Sequence, residues 1–189
     1  CSTTLAISFL VVLFSGTMGI FLGAVTGYFG GLLDEIVMRI TDAVNGFPSI
    51  LLTLVIISLL GTGKQNVILA LGIVFIPSYV RIVRGEFMRL RDADYIRRAR
   101  LMGVGRIRIL FVHILPNIFS VFWASVMIGF NNAILAESSM SYLGIGVNPP
   151  DASLGNMLSD AQGYLQSAPW CVLAPGLVIV WIVLGFSML

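Results

Sequence analysis

The chain has 189 residues, 58% of them hydrophobic and 11% charged, where a soluble globular domain carries roughly 25% charged residues; a water-soluble fold is excluded and a membrane protein is indicated. The formal net charge is only +2, yet nine of the eleven Lys and Arg residues fall at positions 81, 84, 89, 91, 97, 98, 100, 106 and 108, leaving Arg39 and Lys64 elsewhere. In so apolar a chain that cluster points to a cytoplasmic loop, by the bias of basic residues to the inner side, and away from nucleic acid.

The first apolar run, Leu5 to Phe29, holds no charge and exceeds the roughly 20 residues that a helix needs to cross a bilayer. Its glycines at 16, 19, 23 and 27 share one helix face. Either a neighbouring backbone approaches there, or glycine is simply frequent in membrane helices. Gly30-Gly31 ends the run. The next stretch, with Asp34, Glu35, Arg39 and Asp42 among helically spaced apolar residues, is expected to start in the interface and enter the membrane. Pro48, which lacks a backbone donor, is expected to kink this second crossing before SILLTLVIISLLG completes it.

A turn at 61–64 leads to a third run, Val67 to Val83, with Pro77 inside it and Arg81 and Arg84 at its inner exit. Residues 86–108 are too polar to span. The fourth run begins near Ile114 and continues to Ala136, carrying Asn117, Asn131 and Asn132. Amides in hydrocarbon face other helices or a water-filled cavity, so Asn131 and Asn132, with Glu137 at the outer end, are candidates for lining a pathway; Glu137 has helix pairing as its alternative. Residues 138–169 contain Asp151 and Asp160 and no Lys or Arg, which assigns them to the outer side. A fifth run starts near Cys171.

The expected fold is therefore an all-α membrane protein, a polytopic helical bundle with five crossings and its first residue outside. The single transmembrane domain is 1–189, with a cytoplasmic loop at 92–108 and an extracytoplasmic loop at 138–169. The chain begins with Cys1 and stops inside an apolar run at Leu189, so it is read as incomplete at both ends, with six helices expected in the whole protein. No signal peptide is recognisable. Cys1 and Cys171 offer neither a disulfide framework nor metal-ligand spacing.

The most informative stretch is DADYIRRARLMGVGRIRILFVHILPN, Asp92 to Asn117. Asp92 or Asp94 is expected to cap a short helix whose apolar face is Tyr95, Ile96, Ala99 and Met102, with Arg97, Arg98 and Arg100 opposite. Gly103 and Gly105 interrupt it, and a second basic stretch leads to Leu115-Pro116, where the chain returns into the membrane. On pattern alone, such a knob could lie on anionic headgroups or dock on a partner.

These residues resemble the inner-membrane permeases of ABC importers, whose signature is Glu-Ala-Ala, three residues, Gly, nine residues, Ile, one residue, Leu-Pro. Arg97-Arg98-Ala99 fills the first triplet, Gly103 the glycine, His113 the isoleucine position and Leu115-Pro116 the final pair. The HILPN ending resembles the dipeptide, oligopeptide and nickel branch, and so do AILAESSMSYLGIGVNPPDASLGNML from Ala133 and GYFGGLLDEIVMRITDAVNGFPSILL from Gly27. The resemblance implies a coupling helix, Tyr95, Ile96, Arg97, Arg98, Ala99, Arg100, Leu101, Met102 and Gly103, that docks on an ATPase. It also implies a second homologous permease subunit, two ATPase subunits, an extracytoplasmic substrate-binding protein and surrounding membrane lipid as partners, in a prokaryotic plasma (inner) membrane. The implied cargo is di- or oligopeptides, with nickel or a nickel chelate as the alternative.

No phosphate-cradling glycine loop is present, so ATP is expected on the partner subunit, with no cofactor in this chain. No catalytic or metal-ligating constellation appears, which argues against a membrane enzyme, and lone His113 reads as a structural group. The more distant alternative is an ion-coupled secondary transporter. It should show intramembrane carboxylates or broken helices in two matching halves, and no convincing repeat is found.

Overall fold

The computed structural model describes residues 1–91, 93–105, 108–148 and 151–188, and every regular element among them is helical. Helix α1, Ser2–Phe29, has no charged residue and ends where Gly30 and Gly31 adopt φ of 65° and 69°, the left-handed region that side chains disfavour. Helices α2, Gly31–Asn45, and α3, Ser49–Leu60, follow. The single kinked crossing expected around Pro48 is instead two helices, because the chain breaks at Gly46-Phe47-Pro48. Pro48 takes an extended ψ of 126° ahead of α3 and has no N–H to continue a ladder. Asn66 Nδ2 closes the far end of α3 by donating to the carbonyls of Leu60 and Gly61, at 2.8 and 3.0 Å.

Helix α4, Lys64–Arg91, runs on for two turns past the apolar run that ends at Val83. Nothing there breaks a helix, Arg89 pairs with Glu86 at 2.6 Å, and Arg89 and Arg91 in the last turn complement the carbonyl end of the helix dipole. Helix α5, Asp94–Leu101, is followed by a π-helical turn at Ile109–Ile114 and then α6, Leu115–Tyr142. The wide turn suits Pro116, whose ring and missing N–H are incompatible with an ordinary i−4 bond; the Leu115 N–H bonds to the Leu110 carbonyl, five residues back. Helix α7, Leu154–Ala161, is capped by Ser153 Oγ, which accepts from the Asn156 N–H at 3.2 Å. A short 3₁₀ turn and α8, Trp170–Ser187, complete the chain.

Among the described residues four stretches are long and apolar enough to span: α1, α4, Val112–Tyr142 and α8. A fifth exists only if the broken pair α2 and α3 counts as one, so the five expected crossings stand on that reading of the break.

The chain divides into two compact units. The first comprises 1–14, 47–75 and 127–189, and the second comprises 15–46 and 76–126; α1, α4 and α6 each give one segment to both. The second unit is built on a core of Ala24, Tyr28, Val83, Phe87, Ile96, Ile109, Leu110, Ile114 and Ile118. Here the α1 glycines are accounted for. A Cβ at Gly23 would lie 2.8 Å from the Val80 carbonyl and the Val83 side chain, and one at Gly27 would meet Phe87 and the Arg84 carbonyl. The first unit has its own buried set, including Ile7, Val11, Val67, Leu71, Ile134, Met140 and Leu154.

Candidate functional site

Helix α5 belongs to the second unit, and its sequence explains its attachment. Ile96 and Ala99, three residues apart, share a face and are buried, Ile96 completely, in the core formed with Phe87, Ile109 and Ile114. The apolar face expected from Tyr95, Ile96, Ala99 and Met102 is therefore divided. Two of its members are used internally, while Met102 (79% exposed) and Tyr95 face outward together with Leu101, which is 88% exposed. Arg97 and Arg98 are also exposed, so Leu101 and Met102 stand among basic side chains on the face away from the core. The Arg100 side chain, and Asp92 as a cap, lie outside what the structure describes.

Asp94 does not cap α5. Ala93 takes the N-cap position, its carbonyl accepting from the N–H groups of Ile96 and Arg97, both at 3.0 Å. Asp94 lies in the first turn, where its charge opposes the positive end of the helix dipole. At the other end Gly103 has φ of 81° and the Val104 N–H reaches back to the Ala99 carbonyl at 3.1 Å. This six-to-one bond across a left-handed glycine is the Schellman ending, with Val104 packing against the core. Met102 belongs to this turn rather than to the helix.

Leu115 and Pro116 open α6 directly after the π-helical turn. One residue on, Asn117 Nδ2 donates to the His113 carbonyl at 2.7 Å and to Tyr95 Oη at 3.4 Å. This brace between α6 and α5 was missed from the sequence, although Tyr95 and Asn117 flank the signature. Half-buried His113 sits in the π-helical turn.

The second unit also holds two ion pairs between α2 and α4. Arg84 grips Asp34 with both its Nε and its Nη2, the latter at 2.7 Å from Oδ2, and Arg81 Nη2 lies 2.8 Å from Asp42 Oδ1. No local pattern signals these pairs, since their members lie 39 and 50 positions apart.

The pathway candidates belong to the first unit. Asn132 is exposed, and Asn131 is half-buried with its Oδ1 unpartnered among the described residues. Glu137 is 0% exposed. Its Oε1 accepts from Ser141 Oγ at 2.7 Å, and its Oε2 has no hydrogen-bond partner among the described residues. The loop that follows is held by hydroxyls nearby: Ser141 Oγ accepts from the Val147 N–H at 3.4 Å and Thr4 Oγ1 from the Leu154 N–H at 3.2 Å. A Cβ at Gly146 or Gly155 would collide with Ser141 or Ser138. Glu137 thus lies buried beside the loop that follows α6. Its spacing of four from Ser141, followed by Gly144 and Gly146, was the available signal.

Comparison with known proteins identifies the family. The profile of the binding-protein-dependent transport system inner membrane component family matches residues 19–189. The dipeptide transport system permease protein DppC of Haemophilus influenzae is 41% identical over 181 residues, 96% of this chain and 61% of the relative. The glutathione transport system permease protein GsiD of Pectobacterium atrosepticum is 39% identical over 188 residues, 98% of this chain and 62% of the relative. The chain thus spans about three fifths of the length of these relatives. The MetNI methionine ABC transporter, in an inward-facing conformation, shares the fold with a TM-score of 0.79 at 20% identity, covering 98% of this chain and 88% of its own. With its long apolar helices and a profile match from residue 19 onward, the chain is a multi-pass membrane protein that belongs to the binding-protein-dependent transport system inner membrane component family.

Proposed function

We propose that the chain is the permease subunit of an ABC importer for di- and oligopeptides, and that α5 is the element on which a separate ATPase acts. The observation that carries this reading is the division of α5 into a rooted face and a free face. Ile96 and Ala99 fix the helix in a core shared with segments of α1, α4 and α6, so a displacement of α5 reaches those spans through continuous packing. Leu101 and Met102, among Arg97 and Arg98, form an apolar centre within a basic surround, a composition suited to a groove with acidic walls. Gly103 supplies the sharp turn that lets α5 project.

In this proposal the chain pairs with a second homologous permease, two ATPase subunits and an extracytoplasmic binding protein in a prokaryotic plasma membrane. The ATPase binds the nucleotide, and this chain carries no cofactor. The names of the relatives, dipeptide and glutathione permeases, favour a peptide cargo over nickel. Asn131 and Asn132 are proposed pathway residues, Asn131 for its unpartnered carbonyl oxygen. The outer loop beside Glu137 is the proposed surface for the binding protein, and exposed apolar side chains on α8 such as Trp181 and Leu177 face lipid.

Co-purification with the ATPase tests the role of α5. Replacing Leu101 by Ala, or Arg97 and Arg98 by Glu, should weaken ATPase binding by about 1–3 kcal/mol per hot-spot position and abolish ATP-driven peptide uptake, with the permease still inserted. Undiminished binding and uptake in both variants would overturn the docking assignment and leave α5 as a helix lying on headgroups.

A further inference from the structure

Helix α2 is attached to its unit in a way that packing alone does not explain. Its inward stripe, Asp34, Val37, Met38 and Thr41, follows the i, i+3, i+4, i+7 spacing of a helix face, but only Thr41 on it is fully buried. Leu32, Leu33, Ile36 and Ile40 are exposed on the other side. The helix therefore leaves much of its apolar surface exposed, along with Glu35 and Arg39, while Asp34 is the charged residue on its inward stripe.

What anchors it are the two ion pairs with α4. The Asp34–Arg84 pair is two-pronged and largely shielded, with side-chain exposures of 16% and 24%; Asp42–Arg81 is a second, more open contact. One pair alone would act as a pivot. Two pairs, with Asp34 and Asp42 two turns apart on α2 and Arg81 and Arg84 one turn apart on α4, fix both the height and the rotation of α2. Just ahead of α5, the Ala93 N–H bonds to the Leu90 carbonyl in the last turn of α4 at 3.0 Å.

We propose that Asp34 and Asp42, held by Arg84 and Arg81, are positioning residues that make α2 follow α4 whenever α5 is displaced, so that the stroke on α5 reaches the broken pair α2 and α3. This inference rests on the reading of α5 as the ATPase-docking element. It assigns the pairs to the coupling of ATP use to transport rather than to assembly.

The test uses the whole importer in proteoliposomes, with ATP hydrolysis and peptide uptake measured together. The double variant Asp34→Asn with Asp42→Asn should assemble and hydrolyse ATP, while uptake per ATP falls about fivefold or more. Exchanging the charges, Asp34→Arg with Arg84→Asp, should restore most of that ratio. A direct readout is the distance between spin labels at Ile36→Cys on α2 and Met88→Cys on α4. It should be narrow with and without ATP in the native complex and broad in the double Asn variant. An unchanged ratio with a narrow distance would overturn the proposal. If the double Asn complex failed to assemble, the charge exchange decides: restored uptake supports the proposal and unrestored uptake overturns it. Should the native complex show no ATP-driven uptake, the reading of α5 falls, and the label distances still decide whether the pairs hold α2.

Discussion

Gly23 and Gly85 both sit inside long helices, but a methyl group added to them would have opposite consequences. At Gly23 it would press on the Val80 carbonyl and the Val83 side chain at 2.8 Å, whereas at Gly85 nothing lies within 4 Å. Gly23→Ala should therefore destabilise the protein by about 1–3 kcal/mol, as overpacking of a tight contact does. Gly85→Ala should be neutral or stabilising by up to about 1 kcal/mol, because alanine is the better helix former. Thermal unfolding in detergent of the two variants checks the contrast; equal shifts would remove the close α1–α4 contact as the reason for Gly23. The three- and four-residue spacing of the α1 glycines marked the face in the sequence. That the face was occupied was not legible, because the opposing residues, Tyr79 to Phe87, are some 60 positions away.

Among the elements, α5 shows most clearly what periodicity conveys and what it leaves open. Spacing grouped Ile96 with Ala99 and set the arginines apart, and the structure keeps that grouping. It could not say which apolar residues point into the chain's own core, since that depends on Phe87, Ile109 and Ile114 packing beneath the helix. The consequence is measurable. Ile96→Ala should cost about 2–5 kcal/mol in unfolding free energy, because it opens a cavity under α5. Leu101→Ala should change stability by less than about 0.5 kcal/mol while still weakening ATPase binding. A stability loss at Leu101 equal to that at Ile96 would mean that the outward face is also packed. The end of α4 and the extent of the break between α2 and α3 were not legible for related reasons. Polar residues past Val83 signalled an exit from hydrocarbon, which is not the same as the end of a helix. Pro48 signalled an interruption without its extent. The Asp34–Arg84 pair left no local trace, because neither residue has a charge partner within a helical turn that reveals it.

For the molecule as a whole, the proposed sidedness rests on one span. Among the described residues between α5 and α7, the stretch long and apolar enough to cross is Val112–Tyr142, at 31 residues. At about 1.5 Å per residue it reaches roughly 46 Å, more than the hydrocarbon thickness of about 30 Å. In the proposed topology this stretch crosses the membrane once, with the basic residues of α5 on the inner side. Cys1 and Cys171 are both exposed, so replacing them by serine should leave the packing intact and provide a background without thiols. In that background Arg98→Cys should react with a membrane-impermeant maleimide only in inverted vesicles, and Asp160→Cys only in right-side-out ones, since both positions are exposed. Labelling of both from one side would overturn Val112–Tyr142 as a complete crossing. Labelling from the reverse sides would keep the crossing but put α5 beyond the reach of a cytoplasmic ATPase, and with it the coupling proposed for Arg97, Arg98, Leu101 and Met102.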